Sequence, residues 1–205
     1  MLANWITLSR IPLLGLIIIL LYLPSATTQL LAAPLILILI LMDMLDGYLA
    51  RSRGEASLLG SVLDIAADRS VEYVFWVVFA HLRLIPVVIP LLVLVRGTFV
   101  DAIRSVAPAR GLKPFDLLRS PLGRFLVGSP WLRTPFAVAK AIAFALLALT
   151  YGLSTAGHPW GETLWLPAQI VAWVAVALCL TRGIPVLIEA PQVLQEHPAE
   201  PEMLP

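Results

Sequence analysis

Apolar residues run along this chain in long blocks, not in the alternation of a half-buried strand or the single stripe of a soluble amphipathic helix. Crossing the hydrocarbon core of a bilayer takes about 20 mostly apolar residues in a helix. Six stretches meet that length: Asn4 to Leu23, Gln29 to Arg51, Ser57 to Ala80, Leu84 to Val106, Thr134 to Leu153 and Leu164 to Ile188. The breaks carry turn chemistry, at Pro24-Ser25, Arg53-Gly54, His81 to Arg83 and Ser154 to Gly161. Pro86 and Pro90 fall in the first turns of the fourth stretch, where a missing N–H costs least. The pattern predicts an all-α polytopic membrane protein with six transmembrane helices, one domain over residues 1–190 and a disordered Pro/Glu-rich tail over 191–205. The first apolar run lacks the basic start and small-residue cleavage site of a signal peptide, so it reads as a permanent span.

Composition agrees with the pattern. Of 205 residues 60% are hydrophobic and 13% charged, with a mean hydropathy of +0.91; soluble domains sit near half apolar and a quarter charged. A net charge of +1 gives no reason to expect a nucleic-acid partner. The single cysteine, Cys179, lies in an apolar run and reads as a buried, inert thiol.

The positions of the basic residues set the orientation. Arg51 and Arg53 lie in the second-to-third connection, and Arg110, Lys113, Arg119, Arg124 and Arg133 in the fourth-to-fifth. With six spans both loops fall on one face, expected to be cytoplasmic, with the protein in a bacterial inner membrane. The connection from Ala107 to Arg133 mixes Phe115, Leu117, Leu118, Leu122, Phe125 and Leu126 with its charges. It reads either as an amphipathic segment in the interface or as an ordinary basic anchor. Several of the six tryptophans, Trp131, Trp160 and Trp165 among them, are placed near span ends as interfacial anchors. His81, His158 and His197 have no partner at ligand spacing and read as solvated.

Four acidic residues change the picture from a membrane protein to a membrane site. Asp43 and Asp46 are spaced i, i+3, and Asp64 and Asp68 i, i+4, so each pair projects from one helical face. A short connection makes their helices antiparallel neighbours, which brings the two pairs together. Carboxylates in a membrane cost about 2.5–3.5 kcal/mol each and repel one another, so the group needs a positive centre. Oxygen donors without His or Cys select Mg²⁺, Mn²⁺ or Ca²⁺ over zinc, and four suffice for two ions. Small residues Gly47, Ala50 and Gly60 share these faces and leave room for a ligand or for close helix packing; Arg51 is placed to meet a phosphate.

The segment Asp43-Met-Leu-Asp46-Gly47-Tyr-Leu-Ala50-Arg51, followed by Gly60, Asp64 and Asp68, resembles the signature of the CDP-alcohol phosphatidyltransferase family at all eight of its fixed positions. The opening Asn4-Trp5-Ile6-Thr7-Leu8-Ser9-Arg10 looks like that family's polar start to the first helix. The resemblance implies six helices with a polar cavity open to the cytoplasm, and transfer of a phosphatidyl group from CDP-diacylglycerol to an alcohol with release of CMP. It implies two Mg²⁺ or Mn²⁺ ions on Asp43, Asp46, Asp64 and Asp68, with Asp68 also the general base. It implies a CDP pocket lined by Asn4, Thr7, Gly47, Ala50, Arg51 and Gly60, and, as family members commonly do, a possible homodimer in contact with membrane lipids.

Other charges inside the spans are Arg96, Asp101, Arg104, Lys140 and Arg182. Basic groups near an acidic metal site suggest a phosphorylated acceptor held by Arg104 with Lys140 or Arg133. Alternatively, Arg96 and Asp101 pair in the bundle while Arg104 and Arg182 snorkel. The stretch Arg96 to Arg104 is similar to a helix of phosphatidylglycerophosphate synthases, although Gly97 stands where those have Glu. On this likeness glycerol 3-phosphate ranks first as acceptor, inositol phosphate second, and serine or inositol behind. Glu72, one turn after Asp68, reads as a hydrogen-bonding support. The competing class is an ion or solute transporter, against which stand charges gathered near one face and the lack of an inverted repeat.

Overall fold

The computed structural model describes residues 2–52, 58–107 and 117–196, with the side chains of residues 2–4, 46–51, 58–59, 130 and 196 set apart from description. Seven helices occupy the described residues: α1 Leu2–Tyr22, α2 Ala26–Ser52, α3 Leu58–His81, α4 Val88–Val106, α5 Pro121–Gly128, α6 Pro130–Thr155 and α7 Pro159–Glu196. Among them α1, α2, α6 and α7 are long and apolar enough to cross a membrane. The other two expected spans, α3 and α4, fall short of that measure for a physical reason. α3 carries Asp64, Asp68, Arg69 and Glu72, and α4 carries Arg96, Asp101 and Arg104. At 24 and 19 residues they would still reach about 36 and 28 Å.

Three boundaries differ from the expectation. α4 begins at Val88, so Pro86 lies in the preceding turn and only Pro90 in the helix's first turn. That turn is closed by Leu84 N–H donating to the Phe79 carbonyl, with Arg83 at a φ of 59°. The Gln169 side chain donates to the Leu84 carbonyl and so caps the turn from α7. α7 continues through Pro191 to Glu196, into the segment expected to be disordered. With 38 residues it is about 57 Å long, well beyond a hydrocarbon core of about 30 Å. The long basic connection contains a further helix, α5, which the hydrophobic blocks were too short to announce.

Contacts divide the chain into two units, residues 1–90 with 139–173, and residues 91–138 with 174–205. In the first, α1 packs on α2 and α3. Leu14, Ile17 and Leu21 of α1 and Ala32, Ala33, Ile36 and Leu39 of α2 are buried. An aromatic cluster joins α3 to α6: the Phe144 ring lies 5.1 Å from Phe75, 4.8 Å from Trp76 and 5.8 Å from Phe79. Trp76 is therefore a core residue, whereas Trp5, Trp131, Trp160 and Trp165 are exposed near helix starts as anchors should be. His81 is not merely solvated, because its Nδ1 lies 2.6 Å from the Tyr22 hydroxyl. Leu16, Ile19, Leu37 and Ile170 point outward. An apolar outer face of this kind is what a lipid-facing helix presents.

Gly152 marks where α6 meets α2. A β-carbon there would stand 2.9 Å from the backbone nitrogen of Leu30, which cannot move aside as a side-chain tip would. Gly152→Ala is expected to destabilise the protein by about 1–3 kcal/mol, measured by thermal unfolding in lipid nanodiscs.

In the second unit Val100, Ala107, Leu117, Leu118, Val127, Val186, Ala190 and Val193 form one buried cluster. Leu117 and Leu118 of the basic connection turn inward, while Leu122 and Phe125 of α5 face out. The connection is thus amphipathic where it is described; Arg110, Lys113 and Phe115 lie outside the described residues.

Candidate active site

α1 packs on both α2 and α3, and there it meets Asp43 of the one and Asp64 of the other. The Arg10 guanidinium Nη1 lies 2.5 Å from Asp43 Oδ1 and 3.8 Å from Asp64 Oδ1. Arg10 is 1% exposed, whereas Asp43 and Asp64 are 34% and 50% exposed. The two carboxylates sit at an accessible rim above a buried cation. Sequence reading treated Arg10 only as part of a polar helix start; the available signal was a charge three residues beyond Thr7 on the same helix.

One turn along α3, Asp68 has a different cation. Lys140 Nζ of α6 lies 3.6 Å from Asp68 Oδ1 and 3.4 Å from Glu72 Oε2. Glu72 is 1% exposed, and Arg69 Nη1 donates to the same Oε2 at 3.2 Å. Burial makes this carboxylate depend on both cations, since an unpaired buried charge is expensive. Glu72 does more than support Asp68, for it anchors the lysine that reaches Asp68.

The remaining expected site residues are placed as follows. Thr7 is buried on α1 and Gly60 is half-buried on α3. Asn4, Asp46, Gly47, Ala50 and Arg51 belong to α1 and α2, but their side chains lie outside those described. Arg104 and Arg133 belong to the second unit and Lys140 to the first.

The second unit holds its own concentration of charge. Arg96, Arg104 and Arg133 all lie close enough to Arg182 to repel it. Arg182 donates to the Val127 carbonyl at 3.4 Å and stacks over the Phe136 ring at 5.7 Å. The buried Arg96 stem passes Gly183 so closely that a β-carbon there would overlap it. Glu189 fixes the entry to α5, accepting from the backbone N–H groups of Arg119 at 2.7 Å and Ser120 at 2.9 Å and from the Ser120 hydroxyl at 2.5 Å. Ser120 in turn caps α5 by accepting from Gly123 N–H. No spacing rule pointed to Glu189, because its partners lie about 70 residues away in sequence.

Comparison with known proteins places these groups in context. The profile of CDP-alcohol phosphatidyltransferases matches residues 1–181. The chain belongs to the CDP-alcohol phosphatidyltransferase family. It is 33% identical to a phosphatidylinositol phosphate synthase of Mycobacterium marinum over 125 residues, 54% of this chain and 53% of the relative. It is 38% identical over 81 residues to proteins of the same name from Mycobacterium bovis and Mycobacterium tuberculosis, 36% of this chain and 37% of each relative. The aligned chain thus spans about half the length, or less, of the curated relatives it matches.

The family implies a divalent metal, and the acidic rim suits one. Its donors are carboxylate oxygens, the class that hard cations prefer. Asp43 and Asp64, from different helices, already converge on a single positive centre, the demand a shared ion would make. Among the described residues no three Asp, Glu, His or Cys side chains gather as one ligand set.

Proposed function

We propose that this protein transfers a phosphatidyl group from CDP-diacylglycerol to a phosphorylated inositol, releasing CMP. The observation that carries the reaction class is the convergence of Asp43 and Asp64 at an accessible rim, with Asp68 one turn away, inside a segment that the family profile covers. The named relatives favour inositol phosphate over glycerol 3-phosphate, which ranked first on the likeness of Arg96 to Arg104. Family membership also favours an enzyme over a transporter.

Asp43, Asp46, Asp64 and Asp68 would hold two Mg²⁺ or Mn²⁺ ions, which supply charge neutralisation to the pyrophosphate when bound. The chain's own residues do the rest. Asp68 takes the proton of the acceptor hydroxyl, whose oxygen then bonds to the phosphorus that bears the diacylglycerol. The pyrophosphate P–O bond breaks and CMP leaves. Lys140, anchored by Glu72, holds the Asp68 carboxylate in place. Asn4, Thr7, Gly47, Ala50, Arg51 and Gly60 bind the CDP moiety. Arg104 and Arg133, joined by Arg96 and Arg182, form the basic set for the acceptor's phosphate: the repulsion of three like charges on Arg182 is relieved by an anion. α3 and α4 complete six spans, with the acidic rim on the cytoplasmic face in keeping with the basic connections.

The test is CMP release by the purified protein from CDP-diacylglycerol, with Mg²⁺ or Mn²⁺ and a panel of acceptors, reading the product lipid. Inositol phosphate is expected to give the highest kcat/KM. A higher value with glycerol 3-phosphate would restore that acceptor, and no CMP release with any acceptor would overturn the enzyme reading.

A further inference from the structure

One fully buried charge of the first unit belongs to no role assigned so far. Arg10 is 1% exposed, lies on α1, and directs its guanidinium at one carboxylate of α2 and one of α3. Its desolvation needs compensation, which Asp43 and Asp64 supply. Arg10 is held by the same oxygens that the proposed function gives to metal ions.

We infer that Arg10 is a positioning residue of the acidic rim: it ties α1 to the metal-binding carboxylates of α2 and α3 and lowers their affinity for a divalent cation. The inference rests on the proposed metal role of Asp43 and Asp64. Two consequences follow from one charge. Arg10 screens the repulsion between carboxylates from different helices, so the three helix ends stay together without relying on metal. The same screening weakens the field that attracts the metal, because each carboxylate already faces a cation. Removing the charge while keeping a polar side chain of similar length reverses both effects: the protein leans on metal for stability, and metal binds more tightly.

Wild type, Arg10→Lys and Arg10→Gln, each in lipid nanodiscs, are compared for Mn²⁺ binding by the electron spin resonance signal of free Mn²⁺. Thermal unfolding of each is followed in EDTA and in saturating Mn²⁺. Arg10→Gln is expected to bind Mn²⁺ about tenfold more tightly, the size of effect one charge gives across a few ångströms when water screens it. It should unfold at a lower temperature in EDTA and gain more from Mn²⁺ than wild type does. Arg10→Lys keeps the charge but loses the fork, and is expected to fall between, which also serves if Arg10→Gln does not fold. A wild-type Mn²⁺ affinity and an unchanged Mn²⁺-dependent gain in the folded variants overturn the role of Arg10. Absence of Mn²⁺ binding to wild type overturns instead the metal reading on which it rests.

Discussion

Asp68→Asn is expected to lower kcat for CMP release by a factor of about 10²–10⁴, the range that a positioned general base contributes. The amide matches the carboxylate in shape and keeps one oxygen toward Lys140, so the exchange removes proton acceptance with little change in packing. Lys140 Nζ stands 3.6 Å from the Asp68 oxygen, and the side chain is 39% exposed, open enough to meet a hydroxyl from solution. Binding of CDP-diacylglycerol should be largely kept, because the CDP pocket is assigned to other residues. A parallel Mn²⁺ titration separates the two duties of Asp68: a loss of turnover with metal binding intact assigns the base, whereas proportionate losses in both would make it a ligand alone. Undiminished turnover would move the base elsewhere.

That Asp43 and Asp64 approach one another was legible in the sequence, and the reason is the spacing of the aspartates. Pairs at i, i+3 and i, i+4 on consecutive apolar segments leave few arrangements other than a shared rim, and α2 and α3 deliver Asp43 and Asp64 to it. Their cationic partners were harder to read. Arg10 and Lys140 come from helices distant in sequence, and a pattern within one helix cannot say which face of another it meets. Lys140 was grouped with Arg104 and Arg133 on sign alone, whereas packing around Phe144, one turn further along α6, turns that helix toward α3 and hands Lys140 to Asp68 and Glu72.

Which helices span is harder to read for a related reason. Apolar length marks a span well, but α3 and α4 each bear several charges and α5 is only eight residues long, so apolar blocks define neither class cleanly. What fixes α5 is instead Ser120 at its cap and Glu189 across from it. That is a tertiary contact with no local signature.

Lys140→Met is expected to be the most destabilising single change in the first unit, by about 3–5 kcal/mol, because it strips one of two cations from a buried carboxylate. Glu72 would keep only Arg69, 3.2 Å away and itself partly exposed. The double change Glu72→Met with Lys140→Met removes both charges and fills similar volume, so it should unfold at a higher temperature than Lys140→Met alone. Thermal unfolding of the four proteins in nanodiscs closes that cycle. Kinetics of Lys140→Met then decide what the lysine serves. If it positions Asp68, kcat falls while KM for the phosphorylated acceptor stays near wild type. If it binds the acceptor's phosphate, KM rises and the loss disappears with an unphosphorylated acceptor. The ion pairs of Lys140 with Asp68 and Glu72 favour the first outcome, since an ammonium engaged by two carboxylates has little charge left to offer a phosphate.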